Sequence, residues 1–159
     1  VRCQRIDIGS AEDMYRESLA TMGSCDVFIA CAAVADYRPQ TPAEQKLKKS
    51  AEQMSIELVR NPDIVSAVAG HAQRPFTVGF AAETQDLEHY AQSKLERKNL
   101  DLIIANDVSD QSIGFNSERN AVTLFWAEGK AVLPESSKPQ LGRALIAKIA
   151  EFYRAADSQ

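Results

Sequence analysis

Stretches of alternating, helically spaced and continuous apolar residues follow one another along this chain, and their order predicts its architecture. Arg2 to Ile8 alternates and carries β-branched residues, as a half-covered strand does. Ser10 then opens a helical stretch, SAEDMYRESLATMG, with acids in its first turn and Gly23 after its last. CDVFIACAAVA is a continuous apolar run, the pattern of a parallel strand in a sheet covered by helices on both faces, and it is predicted to be central. MSIELVR reads as a strand, and NPDIVSAVAGHA as a short helix capped by Asn61 with Pro62 at its first helical position. PFTVGFAAE is the next strand, DLEHYAQSKLERKN the next helix and DLIIAND a short buried strand. NAVTLFWAEGKAVLP has the form of a hairpin turning at Glu128-Gly129, and KPQLGRALIAKIAEFYRAA that of an amphipathic closing helix.

Strand and helix alternate, which implies an α/β, Rossmann-like fold: a mostly parallel sheet with helices on both faces, plus a C-terminal β-hairpin. The 159 residues fit one domain, with no internal repeat, low-complexity tract or linker. Ligands of such sheets sit beyond the carboxyl ends of the strands. That rule selects the loop from Asp36 to Lys49, the NPDIV turn, and the end of the GFAAET strand with its following helix.

Charge narrows the choice of ligand. With 18 basic against 22 acidic residues the net charge is −4, which argues against nonspecific binding to nucleic acid or to an anionic membrane. A basic cluster here is therefore local, suited to a small anion. No apolar window is long enough for a membrane span, so a soluble protein is expected. Cys3, Cys25 and Cys31 lack paired Cys-x-x-Cys spacing and lie far from His71 and His89, so no metal set is recognisable. They read as buried apolar thiols of a reducing, cytoplasmic protein. Cys25 and Cys31 on one extended strand would stand about 20 Å apart, too far to bridge. The chain begins at Val1 directly on a strand-like pattern, as a domain cut from something longer would.

Several positions carry chemistry, each with a plainer alternative. Lys46, Lys48 and Lys49 follow Pro39 and Pro42, and their mutual repulsion would be relieved by a triphosphate; a solvated charged loop explains them too. Lys94 and Lys98 stack on one helix face, either around a phosphate or simply in solvent. Asp36 supplies a hard oxygen for a ribose hydroxyl or magnesium, or merely ends the strand. The NPDIV turn offers helix-start amides to a ligand edge, or only a cap. Phe80, between Gly79 and Ala81-Ala82, fits a base or sugar as well as a core; His71 and His89 read as surface residues, and Trp126 as packing. There is no G-x-G-x-x-G, Walker loop or nucleophile elbow, which leaves nucleotide binding by scattered loops.

CAAVADYRP, KLKK, NPDIV, VGFAAET, the K-x-x-x-K helix, LDLIIANDVS and GFNSERNAVTLFW, in that order, resemble the bacterial phosphopantothenate-cysteine ligase family, from near Ile6 to the closing helix. The resemblance implies a step of coenzyme A biosynthesis. The carboxylate of 4'-phosphopantothenate attacks the α-phosphate of CTP, releasing pyrophosphate, and L-cysteine then displaces CMP from the acyl-cytidylate. It implies CTP with magnesium, a cytoplasmic homodimer, and frequent fusion to a decarboxylase that alone holds FMN. Carried over by motif, the nucleotide site comprises the backbone of Ala30, Cys31 and Ala32, the Asp36 side chain, Lys46, the turn Pro62, Asp63, Ile64 and Val65 against cytosine, Phe80, and Lys94 with Lys98 on the phosphates. Lys46 is the implied catalytic residue; the metal ligands are not assigned. The family's N-terminal strand, glycine-rich loop and Asn- and Ser-Gly-rich segment are expected before Val1. A noncatalytic nucleotide-binding or dimerisation fragment is the alternative, and a nicotinamide oxidoreductase is disfavoured by the missing glycine fingerprint.

Overall fold

The computed structural model describes residues 3–43, 45–48, 52–83, 86–107 and 117–158. A five-stranded sheet has the order β1 (Val27–Ala30), β4 (Phe76–Glu83), β5 (Leu102–Asp107), β6 (Arg119–Trp126) and β7 (Gly129–Ser137). β1 and β4 pair in parallel, as do β4 and β5, whereas β6 is antiparallel to both its neighbours. Four of the five strands therefore run in one sense, the mostly parallel α/β arrangement expected. A separate antiparallel ribbon pairs β2 (Tyr37–Pro39) with β3 (Leu58–Arg60).

β5 shows why both faces carry helices. Leu102, Ile103, Ile104 and Ala105 are all fully buried, yet successive side chains of a strand point to opposite faces. Ile103 and Ala105 pack with Ala69 of α2 (Ile64–Ala69) and with Ala91 and Leu95 of α3 (Leu87–Arg97). Leu102 and Ile104 pack with Leu141, Leu145 and Ile149 of α4 (Lys138–Asp157). α1 (Ala11–Thr21) begins at Ser10, whose hydroxyl accepts from the Asp13 amide at 3.1 Å, and lies against α2. Gly79 on β4 is needed for space: a Cβ there would come within 2.7 Å of Leu100 Cδ1. Trp126 packs on Phe152 with ring centroids 4.8 Å apart, as expected of a hairpin residue facing the closing helix. No helix among the described residues is long and apolar enough to cross a membrane.

Six expectations are corrected. Residues 3–8 form no strand and are exposed, because their alternating apolar positions have no sheet partner here. β1 lies at the edge of the sheet and β5 at its centre; a continuous apolar run reports two covered faces, not the number of neighbouring strands. The strand expected over MSIELVR is confined to Leu58–Arg60. Asp63, not Asn61, caps α2, its carboxylate accepting from the Ser66 amide at 3.2 Å, so Pro62 precedes the cap. The hairpin turns at Ala127-Glu128, one residue earlier than expected, with Trp126 opposite Gly129. The thiols also differ from expectation: Cys3 and Cys31 are exposed and Cys25 is half-buried, since the short β1 leaves both flanking cysteines outside the strand.

Candidate functional site

A cavity of about 580 Å³ opens beyond the carboxyl ends of β1, β4 and β5. Its volume lies within the range of small-molecule sites, about 300–1,000 Å³. Three chain segments and one helix face form much of it. The loop after β1 contributes Cys31, Ala32 and Asp36; the turn into α2 contributes Pro62, Asp63, Ile64 and Val65; the end of β4 contributes Phe80; and α3 contributes Lys94 and Lys98. Ten of the twelve site residues expected from the sequence thus line one cavity. Ala30 ends β1 behind the wall, and Lys46 is exposed on the long loop between β2 and β3, outside the lining. Lys48 is likewise exposed, and Lys49 lies outside the described residues.

The two α3 lysines are held by different means. Lys94 Nζ donates to the Phe80 carbonyl at 3.2 Å, so its ammonium sits at the end of β4 with its stem half-buried. Lys98 Nζ meets Asp63 Oδ2 at 2.8 Å, and its side chain is only 18% exposed. Both charges face the cavity from successive turns of one helix, and their repulsion is reduced because Lys98 already has a carboxylate partner.

Partial burial of Asp63 opposes its ionisation, but hydrogen bonds from Lys98 and Ser66 outweigh it and hold the pKa below the ordinary value of 3.8. A lowered carboxylate pKa stabilises the fold above the unfolded value and loses that contribution as pH falls through the folded one. Asp63→Asn, which still caps a helix, is therefore expected to flatten the acid limb of stability below about pH 4. The effect should stay under about 1 kcal/mol because the pair is partly exposed. Urea midpoints across pH 2.5–6 check it, and parallel acid limbs for the two proteins would remove the pair's contribution.

Arg60, Asn106, Asn120 and Lys138, none of them expected from the sequence, also line the cavity, as does Asn61 of the NPDIV turn. Asn106 ends β5, so the strand-end rule could have found it. Asn120 and Lys138 come from β6 and from the start of α4, elements whose convergence on this end of the sheet leaves no local signal. Among the described residues no three His, Cys, Asp or Glu side chains gather as a metal-holding group.

The family description that matches this sequence, over residues 1–153, is the DNA/pantothenate metabolism flavoprotein C-terminal domain. The chain belongs to this family. Over 154 residues, 95% of its length, it is 57% identical to the coenzyme A biosynthesis bifunctional protein CoaBC of Vibrio cholerae, and over 154 residues 49% identical to that of Escherichia coli K12. It spans 39% and 38% of those two proteins. The crystal structure of the C-terminal domain of a coenzyme A biosynthesis bifunctional protein CoaBC superposes with a TM-score of 0.74 at 30% identity, covering 97% of this chain and 66% of that one.

Proposed function

We propose that this chain is a phosphopantothenate-cysteine ligase domain, which joins 4'-phosphopantothenate to L-cysteine at the expense of CTP. The observation that carries the reading is the meeting, in one cavity of a chain from this family, of Asp36, the Pro62–Val65 turn, Phe80, Lys94 and Lys98. The relatives' names, coenzyme A biosynthesis bifunctional proteins, support the same pathway.

In the first step a carboxylate oxygen bonds to the α-phosphorus of CTP and the bond to the pyrophosphate oxygen breaks. In the second, the cysteine amine bonds to the acyl carbon, CMP leaves and the amine loses a proton. Two anions must approach in the first step, so the main task of the protein is to supply positive charge in advance. Lys94 and Lys98 do this at the phosphates, and Lys46 does it at the transferring α-phosphate once its loop covers the cavity. The turn at Pro62–Val65 faces the cytosine and Phe80 flanks the nucleotide. Magnesium takes few protein ligands and several phosphate oxygens, so one hard donor such as Asp36, with the triphosphate, fits it. The reading places this chemistry in the cytoplasm, as a homodimer for which exposed Tyr37, Met54, Ile56 and Leu58 supply apolar surface around the β2–β3 ribbon. FMN belongs to the decarboxylase of fused family members and has no role in it.

Calorimetric titration with CTP and with ATP, both with magnesium, is the test. Saturable binding that prefers CTP is expected; binding of neither nucleotide overturns the reading. The position of Lys46 outside the cavity lining favours one alternative, a noncatalytic nucleotide-binding module. CTP binding without pyrophosphate release in the presence of 4'-phosphopantothenate would decide for it.

A further inference from the structure

Asn61 carries the β2–β3 pairing one residue further, to where the loop after β1 and the turn into α2 form two walls of the cavity. Its backbone N–H donates to the Asp36 carbonyl at 2.8 Å, and its Nδ2 donates to the Ala35 carbonyl, also at 2.8 Å. Its Oδ1 accepts from Arg38 Nη1 at 3.1 Å. The same Arg38 nitrogen donates to the Arg60 carbonyl at 2.9 Å, and Arg38 Nη2 pairs with Glu12 Oε2 at 3.0 Å on α1. The amide is thus fixed at both ends, its NH2 on a carbonyl and its oxygen on a guanidinium, and a flipped amide would set oxygen against oxygen.

The loop this amide holds runs between β1 and the β2–β3 pairing. Residues 31–36 are all exposed, so hydrogen bonds rather than buried apolar area determine where they lie. Two of those bonds end on Asn61, which is followed directly by Pro62 and the turn into α2. The Asn61 side chain thus adds, beyond the β2–β3 pairing, a second tie between the loop after β1 and that turn. Lys94 and Lys98 belong to α3 and its C-cap, and Lys98 is held by Asp63 and Lys94 by the Phe80 carbonyl.

Resting on the ligase reading above, we infer that Asn61, locked by Arg38, is a positioning residue for base selection. It fixes the width of the cavity's nucleoside end and leaves the phosphate end to α3. Loss of the clamp therefore weakens recognition of the base without weakening recognition of the triphosphate.

The experiment compares wild type with Asn61→Ala, Asn61→Asp and Arg38→Lys by calorimetry against CTP, ATP and inorganic triphosphate, each with magnesium. Asn61→Asp keeps an acceptor for Arg38 but turns a second acceptor toward the Ala35 carbonyl. Arg38→Lys keeps the charge but loses the fork that reaches Arg60, Asn61 and Glu12 together. In each variant CTP affinity is expected to fall about tenfold, the scale of one hydrogen bond, while affinity for inorganic triphosphate stays within about twofold. Retained triphosphate binding also reports that the variant is folded. Equal weakening of CTP and triphosphate, or variants that keep the wild-type preference for CTP, would overturn the inference alone. A wild-type chain with no preference for CTP would overturn the ligase reading, and this inference with it.

Discussion

Lys46→Gln is expected to slow pyrophosphate release by about 10²–10³-fold while changing the dissociation constant of CTP by less than about threefold. The asymmetry follows from where the residue lies. Lys46 is exposed on the loop between β2 and β3 and does not line the cavity, so in this conformation water screens its charge from anything bound there. A residue that adds little to the ground state and much to the transition state lowers the rate and leaves binding intact. On the ligase reading proposed above, its contribution arises with the ammonium over the α-phosphate, where excluded water no longer weakens the interaction. Glutamine is one atom shorter but keeps a hydrogen-bond donor and removes the charge, so the loss is mainly electrostatic. Single-turnover pyrophosphate release and calorimetry on the same preparation measure the two quantities. Unchanged turnover would remove Lys46 from the reaction, and equal losses of rate and affinity would make it a ground-state ligand.

The fold was legible where the side-chain pattern is itself the physical cause. In β5 the run LIIA is buried on both faces, so a continuous apolar stretch is the direct sign of a strand between two helical layers. α4 was legible because Leu141, Leu145 and Ile149 recur at helical spacing and all three face the sheet. The misreadings share one origin: the pattern describes a segment's environment, whereas pairing is decided by distant segments. The run at Cys25–Ala35 carries the apolar signature of a central strand, yet it pairs only with β4 among the described strands. Local preference makes Asn61 a cap, whereas in the fold its side chain is held by a tertiary partner, Arg38.

The site shows the same division. Strand-end loops and an i, i+4 lysine pair can be read along the chain, because each depends on a single element and its periodicity. The Lys98–Asp63 pair joins the end of α3 to the start of α2, 35 positions away, and nothing local in either segment announces it. That pair changes how the lysines are understood. The sequence suggests two bare ammoniums repelling each other, whereas the fold holds Lys98 on a carboxylate and Lys94 on a backbone carbonyl.

From this difference comes an unequal outcome for the two lysines. Lys94→Ala is expected to weaken CTP binding by about 10²-fold, because the change removes a half-buried charge held against the Phe80 carbonyl of β4. Lys98→Ala strips Asp63 of its partner and exposes the phosphate end to an uncompensated carboxylate, so repulsion adds to lost attraction and the expected loss is larger, about 10³-fold. The double variant Asp63→Asn/Lys98→Ala removes that carboxylate charge and should recover about tenfold over Lys98→Ala. Asparagine retains the cap on α2, so the recovery reports charge rather than helix stability. Titration of the four proteins with CTP gives the cycle directly. A double variant no better than Lys98→Ala would mean that Asp63 exerts no repulsion on the bound phosphates and serves only as the cap.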